Sequence, residues 1–178
     1  MKKSKIPIIL FAIFIITCVV LTSVLCDSKE LDPSNNENLL FLERYYKLEL
    51  PKCKKINVLD GNKNSRSMII ELTVKKEHAE QFLKNVESVN FDRAFESIIW
   101  KRYYTEKQKE MLVELSKKEN SISFRKLAPG RYVMANFQLG GVCYKKLFSS
   151  DYIIFIEFYT IETEKELIKN CGKEWYNW

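Results

Sequence analysis

Histidine is nearly missing from this chain: His78 is the only one in 178 residues. Zinc sites draw on several imidazole or thiolate ligands at short spacing, and nucleophilic hydrolysis usually needs an imidazole held against its nucleophile. No cysteine or acidic pair stands at ligand spacing around His78, so it reads as a surface residue. A catalytic Cys143–His78 pair lacks any local nucleophile signature. Glycine and proline are also scarce, at 5 and 4, against 46% hydrophobic residues. That balance excludes collagen-like, low-complexity and fully disordered chains. The glycines form neither G-x-x-x-x-G-K-[ST] nor G-x-G-x-x-G, so Gly140-Gly141 predicts the end of a strand rather than a phosphate cradle. No G-x-S-x-G elbow, H-E-x-x-H pair or calcium loop occurs either. No catalytic residues, metal ligands or cofactors are assigned. Glycoside hydrolysis, which runs on two carboxylates alone, is the enzymatic route that stays open.

Charge is missing from residues 6 to 26, IPIILFAIFIITCVVLTSVLC, and no acidic residue precedes Asp27. At 1.5 Å per residue, an uncharged helix of that length just spans a hydrocarbon core of roughly 30 Å. Lys2, Lys3 and Lys5 lie before it, so the positive-inside rule keeps residues 1–5 in the cytoplasm and exports the rest. Three fates fit this segment. The favoured one is an uncleaved signal anchor in the bilayer, making a single-pass cell-membrane protein. The second is cleavage after Val24-Leu25-Cys26 and secretion, and the third is lipidation at Cys26, although Leu25 is bulkier than such signals prefer. Without the three leading lysines the chain carries 26 basic and 23 acidic residues. A pI near 9 is therefore poor support for nucleic-acid binding, and none is expected.

Residues 27–38, DSKELDPSNNEN, read as a juxtamembrane linker, and residues 39–178 as one exported domain. A short helix is expected from Leu39 to Leu50-Pro51. Met68, Ile70, Leu72 and Val74 alternate with Glu71, Thr73 and Lys75, predicting a half-buried strand over 67–75. Lys55 to Leu59 should pair with it across a polar loop opened by Asp60-Gly61. Ala79, Phe82, Leu83 and Val86 predict an amphipathic helix. The aromatic stretch 91–104 has no clear period. Thr105 with Gln108 forms a capping box before a helix that turns Met111, Leu112 and Leu115 inward. Ser121 to Leu127 alternates again, and Ala128-Pro129-Gly130 predicts a turn into a partner strand over 131–139. Tyr152 to Ile161 is apolar on both faces, which predicts a central strand. A short helix from Thr163 and the aromatic end GKEWYNW complete an α+β domain on an antiparallel sheet.

Outside the apolar run stand Cys53, Cys143 and Cys171. A disulfide between Cys143 and Cys171, which flank the central strand, and three buried thiols are equally open expectations. Glu157 lies on the apolar central strand, so it should either pair with Arg131 or Arg125 or serve a ligand. The clusters Lys52 to Lys55, Lys75-Lys76 and Lys117-Lys118 are solvated faces or contacts for lipid headgroups and cell-wall polyanions. Trp175, Tyr176 and Trp178 either cap the sheet or sit at a bilayer interface.

From Tyr45 to Val86, the succession of L-x-L-P-K, a strand, an Asp-Gly loop, a second strand and a helix with E-x-x-x-F-L resembles uncharacterised small exported proteins of low-GC Gram-positive bacteria. That resemblance covers about a quarter of the chain. It implies an α+β module behind a signal anchor or lipoprotein signal, with no active residues to carry over. The function expected from all this is a membrane-anchored extracytoplasmic binding module with a protein or cell-envelope partner. An immunity-like inhibitor of a toxin or hydrolase is the alternative, and an extracytoplasmic hydrolase the third.

Overall fold

Alternation of apolar side chains decides the sheet. The computed structural model describes residues 29–96, 104–128, 138–160 and 162–172. They form an α+β unit on a six-stranded antiparallel sheet, in the order β1-β2-β6-β5-β4-β3. The strands are β1 (Lys55–Gly61), β2 (Ser67–Val74), β3 (Glu87–Ser88), β4 (Ile122–Leu127), β5 (Gln138–Lys145) and β6 (Tyr152–Tyr159). The helices are α1 (Glu37–Tyr46), α2 (Lys76–Leu83), α3 (Phe91–Ala94), α4 (Glu106–Ser116) and α5 (Glu164–Cys171). Residues 6–26 lie outside the described residues, among which no helix is long and apolar enough to cross a membrane.

Both faces of the sheet are covered. Met68, Ile70, Leu72 and Val74 of β2 and Ile154, Ile156 and Phe158 of β6 point to one side, against α1, α2 and α5. Phe155 and Val142 point to the other, against Phe91, Phe95, Tyr104 and Leu112. This explains why β6 reads as apolar throughout: it lies between β2 and β5 with a core on each side. At the two described ends of the aperiodic stretch 91–104, Phe91, Phe95 and Tyr104 reach the same core. Phe91 and Phe95 stack at 5.4 Å, and Tyr104 meets Phe95 edge-on at 5.9 Å.

Local signals set the helix ends. Thr105 and Gln108 satisfy each other's backbone amides at the start of α4, and Thr163 and Glu166 do the same for α5. Helix α2 stops at Leu83, short of the expected reach, yet Val86 still packs against the core. β1 carries a bulge between Val58 and Asp60, and Gly61 follows at φ 74°, where an added Cβ would meet the Ser67 carbonyl.

Two sequence expectations need correction. Gly140-Gly141 does not end a strand; β5 runs through both glycines. A Cβ on Gly141 would stand 2.3 Å from the Phe124 ring and 2.4 Å from the Phe155 carbonyl, so here glycine permits close packing. The described partner of β4 is Gln138–Lys145, with Leu127 opposite Gln138, so the expected partner strand continues past Leu139; residues 131–137 lie outside the described residues. The turn expected at Ala128-Pro129-Gly130 falls mostly outside the described residues. Within the segment read as a linker, residues 29–38 are docked. Leu31 bridges to Cys53, Asp32 caps a 3-10 turn over Pro33–Asn35, and Asn36 caps α1.

Candidate functional site

Antiparallel pairing collects at one end of the sheet what the sequence scatters. Lys55 opens β1 opposite Thr73, Val74 ends β2 opposite Tyr152, and Lys145 ends β5 opposite the same Tyr152. Lys75 and Lys76 continue from β2, while Lys117 and Lys118 follow α4 just before β4. The three basic clusters therefore share one end of the sheet with a fourth that sequence reasoning missed, Lys145-Lys146.

At that end lies a groove of about 700 Å³, lined by Lys55, Lys118, Lys145 and Lys146, by the carboxylates Glu71 and Glu119, and by Thr73, Tyr144 and Ile153. Lys118 Nζ stands 4.4 Å above the centre of the Tyr144 ring. Glu71 accepts a hydrogen bond from Asn57 Nδ2 at 2.9 Å. Leu147 and Phe148, at the tip of the β5–β6 hairpin, form the rim and are 80% and 107% exposed. Phe148 has φ 56°, an uncommon conformation for an aromatic residue. The turn around it is tied down: Lys146 N–H donates to the Asp151 carbonyl, and Asp151 N–H donates to Ser149 Oγ. The available signal was K-K-L-F-S-S-D, an apolar pair between lysines and turn residues in the link between two strands.

The described N-terminal segment joins the domain at this same end. Leu31 and Cys53 exchange backbone hydrogen bonds of 2.7 and 3.0 Å, and the next residue, Lys54, binds Asp151 at 2.9 Å. Glu30 holds Lys75 at 3.1 Å and His78 at 3.2 Å, and the Lys75 ammonium keeps its carboxyl below the ordinary range. His78 is thus a partly exposed clasp on the N-terminal segment.

A second groove, of about 440 Å³, contains Asp32, Glu43, Glu49, Lys52 and His78. Two of its carboxylates already serve the backbone. Asp32 accepts from Ser34 N–H and Oγ, and Glu43 accepts from Leu50 N–H at 2.8 Å. Among the described residues no group of three or more His, Cys, Asp or Glu side chains is arranged to hold a metal ion.

Glu157 lines neither groove. It is 1% exposed, sits opposite Ile69 and Gly140, and among the described residues neither of its oxygens has a hydrogen-bond partner. Loss of hydration pushes its carboxyl up to about 8. The expected pairing with Arg125 does not form, because Arg125 turns to Glu87 at 2.8 Å on the β3–β4 edge. Arg131, Trp175, Tyr176 and Trp178 lie outside the described residues. The Cys143–Cys171 disulfide is likewise not formed: both side chains are thiols, as is Cys53. Cys143 sits within the sheet, opposite Ile122 and Ile154, where burial pushes its thiol up to about 12. Compared with known proteins, the chain matches no family model, no curated protein and no solved structure.

Proposed function

We propose that this chain is a membrane-anchored extracytoplasmic binding module that works through the basic end of its sheet. One observation carries the proposal. Lysines of three separate clusters (Lys55, Lys118 and Lys145-Lys146) and an exposed apolar hairpin tip line one groove at the end of the sheet where the N-terminal segment joins the domain. Exposed apolar side chains ringed by charge mark contact sites on soluble domains. The uncharged run 6–26, with lysines only before it, supports an anchor with the domain outside. The two carboxylates bound to backbone groups in the smaller groove favour binding over hydrolysis there.

Fractionation of the full chain with a C-terminal tag tests this. The tag should stay with the membrane after alkaline extraction and be removed by protease added outside intact cells. A soluble tagged product beginning near Asp27, or a tag protected from external protease, overturns the proposal.

A further inference from the structure

We propose that the β5–β6 hairpin docks on the bilayer itself, with Leu147 and Phe148 entering the interface and the surrounding lysines binding anionic lipid headgroups. The inference rests on the anchored reading above and names the partner of that same site.

Reach is the first support. Leu31 is fixed to Cys53, and it lies five residues beyond Cys26, the end of the apolar run. A fully extended chain of that length covers at most about 18 Å. An anchor ending at Cys26 therefore holds this end of the sheet within that distance of the headgroups. Lys54, next to Cys53, then ties Asp151 of the hairpin to the same place through a 2.9 Å ion pair. A site confined so close to a surface meets it at high effective concentration, so individually weak contacts suffice.

Chemistry is the second. Lys55, Lys145 and Lys146 border the groove and make no ion pair among the described residues. Among the described residues the groove contains no arginine, whose planar fork suits fixed bidentate partners; lysine ammonium groups on flexible stems suit mobile headgroup phosphates. Between these charges the hairpin offers adjacent leucine and phenylalanine side chains, both outside the core. A polyanion such as nucleic acid would answer the lysines but offers no hydrocarbon to Leu147. A bilayer surface answers both.

The test uses the full chain reconstituted into vesicles, with Phe148→Trp as the reporter and the parent chain as the background for the native tryptophans. Phe148 touches no core, so the exchange leaves the fold intact. Vesicles contain brominated phosphatidylcholine, with or without phosphatidylglycerol. Flotation first establishes whether the chain is anchored. With phosphatidylglycerol present, emission from the reporter indole should shift to the blue, be quenched by the bromines and become shielded from aqueous iodide. In neutral vesicles, or with Lys145→Glu and Lys146→Glu added, most of that quenching should be lost. A chain that does not float refutes the anchor, and the docking with it. A chain that floats while the reporter remains open to iodide refutes docking alone. Equal quenching in neutral and anionic vesicles refutes recognition of the anionic headgroup.

Discussion

Phe124 of β4 lays its ring across the face of Gly141 in β5, so close that a Cβ on residue 141 would come within 2.3 Å of it. The Phe155 carbonyl blocks the same position at 2.4 Å from the opposite neighbour. A side chain can turn aside, but a backbone carbonyl held in a central strand cannot. Gly141→Ala is expected to destabilise the domain by about 3 kcal/mol through overpacking. Urea unfolding followed by circular dichroism measures it, and an unchanged midpoint would show that β4 and β5 do not meet in this register.

Glu157 makes stability depend on pH in the direction opposite to most carboxylates. Its ordinary value is 4.5, and burial raises it to about 8 in the folded state. The folded chain then holds the proton more tightly than the unfolded one. Its contribution is fully present below pH about 4.5, declines as pH rises to about 8, and is flat above, with a steepest slope of about 1.4 kcal/mol per pH unit. Glu157→Gln removes the titration and keeps the shape. Wild type and variant should differ least near pH 5 and most near pH 9, with the variant the more stable by a few kcal/mol at high pH. A constant gap between their unfolding midpoints across that range would place the carboxyl in contact with water or a cation.

Ile156 is fully buried between Ile70 on β2 and Gly141 on β5. Ile156→Asp should cost several kcal/mol, comparable with the whole stability of such a domain. Limited proteolysis should degrade the variant domain while the full chain still fractionates with membranes. A protease-resistant variant would contradict the central place of β6.

The thiols should react in order of burial. Cys53 is pushed up to about 11 and Cys143 to about 12, chiefly by loss of hydration. At pH about 8 their thiolates are scarce, on the order of one in a thousand or fewer, so alkylation is slow until the domain unfolds. Cys171, at the half-buried end of α5, should be modified first. Peptide mapping without reductant checks both points, and a linked Cys143–Cys171 peptide would reverse the assignment as thiols.

What could be read in the sequence follows from how local each signal is. The faces of β2, the central place of β6, the cap of α4 and the start of α5 at Thr163 each depend on residues within one segment, and all are as expected. The course of β5 was misread because a paired glycine looks like a break until Phe124, from another strand, is laid over it. Glu157 stood out as a charge on an apolar strand, but that Arg125 is not its partner follows from Arg125 pairing with Glu87 across β3 and β4, which strand pairing decides. The basic clusters were each visible, whereas their assembly at one end of the sheet needed the register of β1, β2, β5 and β6. Leu147 and Phe148 lie in a loop too short for any period; the sequence shows them only as an apolar pair between lysines and turn residues, and their exposure needed the structure.

The strand order also dictates when this chain can fold. β2 is complete at Val74, yet its inner edge stays open until Tyr152–Tyr159 arrives to sit between it and β5. Pairing between strands so far apart in sequence is slow to nucleate, and β2 and β5 gain their shared neighbour only once residues 152–159 are in place. The same delay leaves the inner edge of β2 unprotected until β6 emerges, so a chain truncated before Tyr152 should recruit strands from other copies and aggregate.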